Sequence, residues 1–308
     1  MKKKTSWLVV WLVLLSPHKQ VVTRRLHWAL VLVVLFSWSA PALALEKSGR
    51  VQMEEEAAPE VQFSLSVSDF VDNTSFRARP DNTGIVRYRY LGHLEVIPHW
   101  SPVALILDSN FFTDKERPNE FAPSEWDQAI GFLYRYQQWA GLLRYERDMP
   151  IDKSGLVQAF AEVQGLWHQD NLLIKESEFY AGLGWLFATQ TYFARPDNTG
   201  RALLRYVLHA EVPLYREALW LIGDTNFFTD RESSNPVRPS ELDWIVGIAV
   251  RWKTWELMAF QETDQSIDRA GLSQKYIAIQ LKWNWDKKSF SPEIHSMRDG
   301  TLMSHFSR

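Results

Sequence analysis

The sequence predicts an all-β fold: a closed antiparallel 12-stranded transmembrane β-barrel made of two tandem six-strand repeats. Three observations carry this. The N-terminus reads as an export signal, the chain repeats itself at an interval of 116 residues, and its strand-like runs place an apolar, aromatic-rich face opposite a charged one.

The export signal comes first. Lys2, Lys3 and Lys4 precede an apolar run from Trp7 to Leu15, and Arg24 and Arg25 precede a second from Leu26 to Trp38 that leads to Ala42-Leu43-Ala44. A basic start, an apolar stretch and an A-x-A site make a secretory signal peptide. Residues 1–44 are read as the signal and targeting region. The first run is then an upstream extension from a misassigned start codon, with initiation near Val21 or Val22. The competing reading is a pair of anchoring helices, but each run is shorter than the ~18 residues a spanning helix needs. Residues 45–60 are acidic and read as a periplasmic lead-in. The chain has no cysteine, which excludes disulfides, thiolate metal sites and a lipidated N-terminal Cys. A formal net charge of -3 implies no nucleic-acid partner.

Ala78-Arg79-Pro80-Asp81-Asn82-Thr83-Gly84 recurs as Ala194 to Gly200, and Asn110-Phe111-Phe112-Thr113-Asp114 recurs as Asn226 to Asp230. Pro123-Ser124-Glu125 recurs at Pro239, and Ile151-Asp152 recurs as Ile267-Asp268. Every pair is 116 apart, and 38 of 92 positions match between 76–167 and 192–283. Residues 61–170 therefore form a first six-strand unit and 171–285 a second. Residues 286–308 form a polar periplasmic tail.

Each unit reads as six strands. They are placed near 62–76, 85–97, 103–113, 125–136, 139–148 and 156–167, then near 178–192, 201–213, 218–229, 241–252, 255–264 and 272–285. The last is the clearest. Ile277, Ile279, Leu281, Trp283 and Trp285 alternate with Tyr276, Ala278, Gln280, Lys282 and Asn284. Odd connections are long, including 114–124 and 149–155. Even ones are short, with His168 to Asn171 among them. That asymmetry marks a membrane barrel whose long loops face outward.

Outward positions drift between repeats but stay mainly apolar, as in Ile130 against Val246 and Phe132 against Ile248. Inward positions stay polar and often identical. Arg89, His93 and Glu95 match Arg205, His209 and Glu211. Asp108 and Asn110 match Asp224 and Asn226. Asp127 and Arg135 match Asp243 and Arg251, and Glu146 and Asp148 match Glu262 and Asp264. A soluble sandwich would show the opposite pattern. These eighteen residues are the expected lumen lining. Arg87, Arg89, Arg135, Arg144, Arg205, Arg251 and Lys282 supply fewer inward charges than the carboxylates do, so a water-filled lumen would favour cations. Bonding between neighbouring strands is the alternative role for the same charges.

The repeated Ala-Arg-Pro-Asp-Asn-Thr-Gly is a turn sequence with too few oxygens for a calcium site. Phe112 and Phe228 point into the mouth, while Phe111 and Phe227 face lipid. His93 and His209, each two residues before an inward Glu, lack a third metal ligand. No metal site, cofactor or catalytic residue is assigned. Outer-membrane phospholipases also use 12 strands, but they need a Ser nucleophile and a His facing lipid, and no outward pair of that kind is found here. The expectation is a non-enzyme.

In its signal peptide, alternation and asymmetric loops the chain resembles bacterial outer-membrane β-barrel proteins of the small porin type. The resemblance implies a Gram-negative outer-membrane location, outer-membrane lipids as surroundings, and barrel-assembly machinery as a partner during biogenesis. It also implies a passive diffusion role, and together with the inward excess of carboxylates the expectation is a narrow channel for small hydrophilic, cationic solutes. The alternative is a barrel plugged by its own charges, whose outer loops 114–124 and 230–240 contact a partner or surface polysaccharide. Oligomeric state is left open.

Overall fold

The computed structural model describes residues 60–285 apart from 80, 82, 99–101, 153–154, 188, 190, 217 and 270–272. The signal and tail assignments, and all but Glu60 of the lead-in, lie outside the described residues. Twelve strands follow in order: β1 Glu60–Asn73, β2 Val86–Ile97, β3 Val103–Asp114, β4 Pro123–Tyr136, β5 Trp139–Pro150, β6 Gln158–Asp170, β7 Glu178–Phe187, β8 Ala202–Tyr215, β9 Leu219–Asp230, β10 Pro239–Trp252, β11 Trp255–Ser266 and β12 Ser273–Asn284. Each pairs antiparallel with the next. β1 also pairs with β12, with Leu65 opposite Trp283, so the sheet closes. Closure leaves no unpaired edge, which a sheet in hydrocarbon requires.

Side-chain alternation fixes the two faces. Along β10, Val246, Ile248 and Val250 are 44–49% exposed, while the intervening Ile245 and Ala249 are buried. β4 repeats this with Ile130, Phe132 and Tyr134 exposed. Large apolar residues on the outside of a closed barrel are a lipid-facing surface. At the short-turn end, exposed Tyr136, Trp139, Tyr215, Trp252, Trp255 and Trp285 form an aromatic girdle, where an amphipathic ring meets headgroups. The two-residue hairpins at 137–138 and 253–254 are reached through Gln137 and Lys253, both with positive φ.

Four details differ from the sequence reading. Strands placed at 62–76 and 178–192 stop at Asn73 and Phe187. In β1 the cause is local. The Asn73 carbonyl oxygen accepts from the backbone N–H of Ser75 and Phe76, and its amide donates to the carbonyls of Phe76 and Val86. An Asn bonded this way turns the chain out of the strand. Second, β6 runs on to Asp170. The β6–β7 turn is therefore 171–177 rather than His168 to Asn171, and it is as long as the β5–β6 connection. Third, Arg87 does not face the lumen. A register shift between Val86 and Arg89 turns it out to pair with Asp69 at 3.1 Å. Fourth, the inner face is not uniformly polar. One apolar cluster joins Phe70, Phe76, Phe112, Trp220, Ile245, Phe260 and Tyr276, and a second joins Ile106, Leu133, Leu142, Leu166, Tyr180 and Val207.

Candidate functional site

All eighteen expected lumen residues point inward, and sixteen of them are 8% exposed or less. They pack closely within the barrel interior. From the short-turn end upward they form successive levels.

At the lowest level, Arg135 of β4 reaches past β3 to Glu95 of β2 with two bonds of 2.5 and 3.1 Å. Arg251 of β10 reaches past β9 to Glu211 of β8 at 2.7 Å, and its Nε donates to Glu256 of β11, also at 2.7 Å. The Arg251 guanidinium lies 4.7 Å from the Trp220 ring centre. Planar guanidinium groups suit such two-sided contacts with carboxylates.

Above them, His93 Nδ1 lies 2.7 Å from Asp108, and His209 Nδ1 lies 2.7 Å from Asp224. The partner of each histidine is therefore an Asp on the next strand. The Glu two residues further along the same strand is a more distant neighbour, with His209 Nε2 at 3.6 Å from Glu211. Ser64 sits directly across from His93 in the β1–β2 register, so a Ser, a His and an Asp stand abreast on β1, β2 and β3. In the second repeat Tyr180 takes the place opposite His209. Both groupings are buried on the inner face, away from lipid.

At mid-height, Arg144 of β5 pairs with Glu146 at 3.3 Å and with Glu162 of β6 at 3.0 Å. Arg205 of β8 lies 3.5 Å from the same Glu162, beyond the intervening β7. Gly184 of β7 makes room for that contact, because a Cβ there would lie 2.0 Å from Glu162 Oε1. Arg89 and Arg205 each donate twice to an Asn carbonyl, Asn110 and Asn226. Each also stacks 5.6 Å from the centre of a Phe ring, Phe112 and Phe228. Nearer the long loops lie Glu125, Asp127 and Asp148 in one repeat and Glu241, Asp243 and Asp264 in the other.

The long-loop end carries two lids. The connection between β1 and β2 folds back, with the Ala78 N–H donating to the Gly84 carbonyl and Phe76 packed among Phe70, Phe112 and Tyr276. Arg79 then bonds Asp114 at 2.6 Å and Asp152 at 3.1 Å. The connection between β7 and β8 does the same. Tyr192 packs on Phe160 and Phe228, and Arg195 bonds Asp230 at 2.9 Å and also Asp268. Gly84 and Gly200 are indispensable here. Both have positive φ, and a Cβ would lie 2.1 Å from Asp114 Oδ2 in the first and 2.2 Å from Arg195 Nη1 in the second.

Hydrogen bonds from Arg195 hold the Asp268 carboxyl below its ordinary range. Partial burial pushes Asp197 up, but hydrogen bonds from Thr199 and Arg269 outweigh it and hold Asp197 low as well. Because the folded values are depressed, this contribution is fully present above the ordinary carboxylate pKa. It is lost as pH falls through the folded values. Backbone hydrogen exchange of 191–201, corrected for the intrinsic rate, is expected to stay slow from neutral pH down to about pH 4 and to accelerate below that. Acceleration already between pH 7 and 5 would contradict the clasp.

The lid residues Arg79, Asp114, Asp152, Arg195, Asp230 and Asp268 were not singled out as site residues from the sequence. The signal was present: an Arg and two Asp recurring together at one offset, far apart in each repeat.

No family model matches the sequence, and no curated protein does either. Among solved structures, the chain is similar to the COG4313 outer membrane channel from Pseudomonas putida F1, with 7% identity, a TM-score of 0.43, and coverage of 78% of this chain and all of that one. It is also similar to CdiB from Acinetobacter baumannii, with 10% identity, a TM-score of 0.38, and coverage of 73% of this chain and 60% of that one. A third is the translocator domain of the autotransporter NalP from Neisseria meningitidis, with 9% identity, a TM-score of 0.34, and coverage of 83% and 96%. The likeness is one of barrel architecture, that of outer-membrane β-barrels.

Proposed function

We propose that the protein is a non-enzymatic barrel of the bacterial outer membrane, plugged by its own side chains, with its long loops presented outward to a partner or surface polysaccharide. The carrying observation is the buried, strand-skipping pairing of Arg144, Glu162 and Arg205, all under 2% exposed and drawn from β5, β6 and β8. Ion pairs that skip a strand tie one part of the wall to another, and they recur as Arg135–Glu95 and Arg251–Glu211. Small barrels filled by side chains do not leave an aqueous channel. The exposed aromatic girdle supports contact with outer-membrane lipids. Assembly machinery would act during biogenesis, as for any barrel inserted from an exported chain.

The narrow cation channel draws support from the inward excess of carboxylates. Liposome swelling separates the two. Vesicles containing the refolded protein should swell no faster than empty ones in arabinose, glycine or lysine solutions. Faster swelling that increases with solute positive charge would establish the channel instead. The non-enzymatic reading has its own check. A fluorophosphonate probe should leave Ser64 unlabelled in the folded protein, and labelling that depends on His93 and Asp108 would overturn it.

A further inference from the structure

The buried charges do not balance. Among the described residues sixteen Asp and Glu are buried. Against them stand six buried Arg and Lys, together with the half-buried Arg135 and Arg251. Protonating all three buried histidines would still leave five carboxylates unmatched. Buried charge without a counter-charge is costly, so such groups take up a proton or a cation.

The imbalance is sharpest near the long-loop end of the second repeat. Asp243 of β10 and Asp264 of β11 lie directly opposite in register, 1% and 0% exposed. Directly opposed Cβ atoms are about 4.5–5.5 Å apart, and like charges in that position repel. All four carboxylate oxygens lack a hydrogen-bond partner among the described residues. Their neighbours are committed elsewhere. Asn226, opposite Asp243 on β9, gives its carbonyl to Arg205, and Arg205, whose positive charge also reaches Asp243, is shared with Glu162 at 3.5 Å. Gln274, opposite Asp264 on β12, donates its amide to the Pro196 carbonyl of the lid. The Tyr276 hydroxyl donates to Glu262.

We infer that the Asp243–Asp264 pair binds a hard divalent cation, beneath the second lid. Two carboxylates neutralise a double positive charge and supply the oxygen ligands that magnesium-like ions take. No cluster of three metal-ligating groups occurs among the described residues, so the ion keeps water at its other positions. The first repeat carries the same row of residue types, Asn110, Asp127, Asp148 and Gln158, in the same register, but only in the second repeat do all four oxygens of the Asp pair lie buried without a hydrogen-bond partner among the described residues. The inference rests on the closed-interior reading, because an open lumen would hydrate both carboxylates.

The test uses the full chain refolded in detergent and stripped with EDTA, so its outcome is independent of any conductance result. Mn2+ serves as the paramagnetic probe, and thermal unfolding is followed with Mg2+ against NaCl of equal ionic strength. The wild type should bind Mn2+ and unfold several degrees higher with Mg2+. The Asp243→Asn/Asp264→Asn protein should lose both responses and, in EDTA, melt above the wild type, since its like-charge repulsion is gone. Should the double variant not fold, each single variant should weaken Mn2+ binding on the order of tenfold. A wild type that binds no Mn2+, or responses that survive both substitutions, would overturn the inference.

Discussion

Arg251→Met is expected to destabilise the barrel by about 3–5 kcal/mol, because it strands two buried carboxylates at once. Glu211 and Glu256 are each 5% exposed or less, and both bond Arg251. Methionine fills similar volume, so lost packing contributes little to that figure. The triple variant with Glu211→Gln and Glu256→Gln should recover most of the loss, since it removes the orphaned charges as well as their partner. Denaturant unfolding from detergent micelles, followed by tryptophan fluorescence, reads both. Arg87→Met serves as the control. Its pair with Asp69 is about one-third exposed, and removal should cost under about 1 kcal/mol. A small effect at Arg251 would mean that water reaches this level of the barrel.

The second large effect is expected at the lids. Gly200→Val places a branched side chain where even a Cβ would lie 2.2 Å from Arg195 and 2.7 Å from Asp230. The backbone there is also left-handed, at φ 72°. The Arg195 clasp has to break, at a cost of about 2–4 kcal/mol from the orphaned carboxylate and the strained backbone. Hydrogen exchange should show the 191–201 segment losing protection while the β5, β6 and β8 amides keep theirs. The opened lid should not make the barrel conduct, because the Arg144–Glu162–Arg205 level lies beneath it. Uniform loss of protection would mean that the lid and wall unfold as one unit.

The strands themselves were legible in the sequence because period-two alternation in a membrane barrel is strict. Val246, Ile248 and Val250 meet lipid, while Ile245 and Ala249 meet the interior. The 116-residue offset then let each repeat check the other. Boundaries failed where side chains override the pattern. Asn73 turns the chain inward although the alternation runs on to Phe76, and the bulge at Val86–Arg89 moves Arg87 to the outside. The site was half legible. Inward charges could be named one by one, but partners could not. Arg135 bonds Glu95 across a strand that separates them, and register together with barrel curvature decides that contact. The apolar interior was missed for a related reason. Phe112 and Tyr276 read as isolated inward aromatics in the sequence and only become part of a cluster, with Phe260 among others, once the barrel closes.

The closed interior is tested most directly by single-channel recording of the refolded protein in a planar bilayer, with heat-modifiable migration used to confirm folding. The proposed plugged barrel predicts no steady conductance from wild-type protein or from Gly200→Val. Steady steps in the wild type, reduced by neutralising Asp108 and Asp224, would contradict it and establish a cation-lined pore.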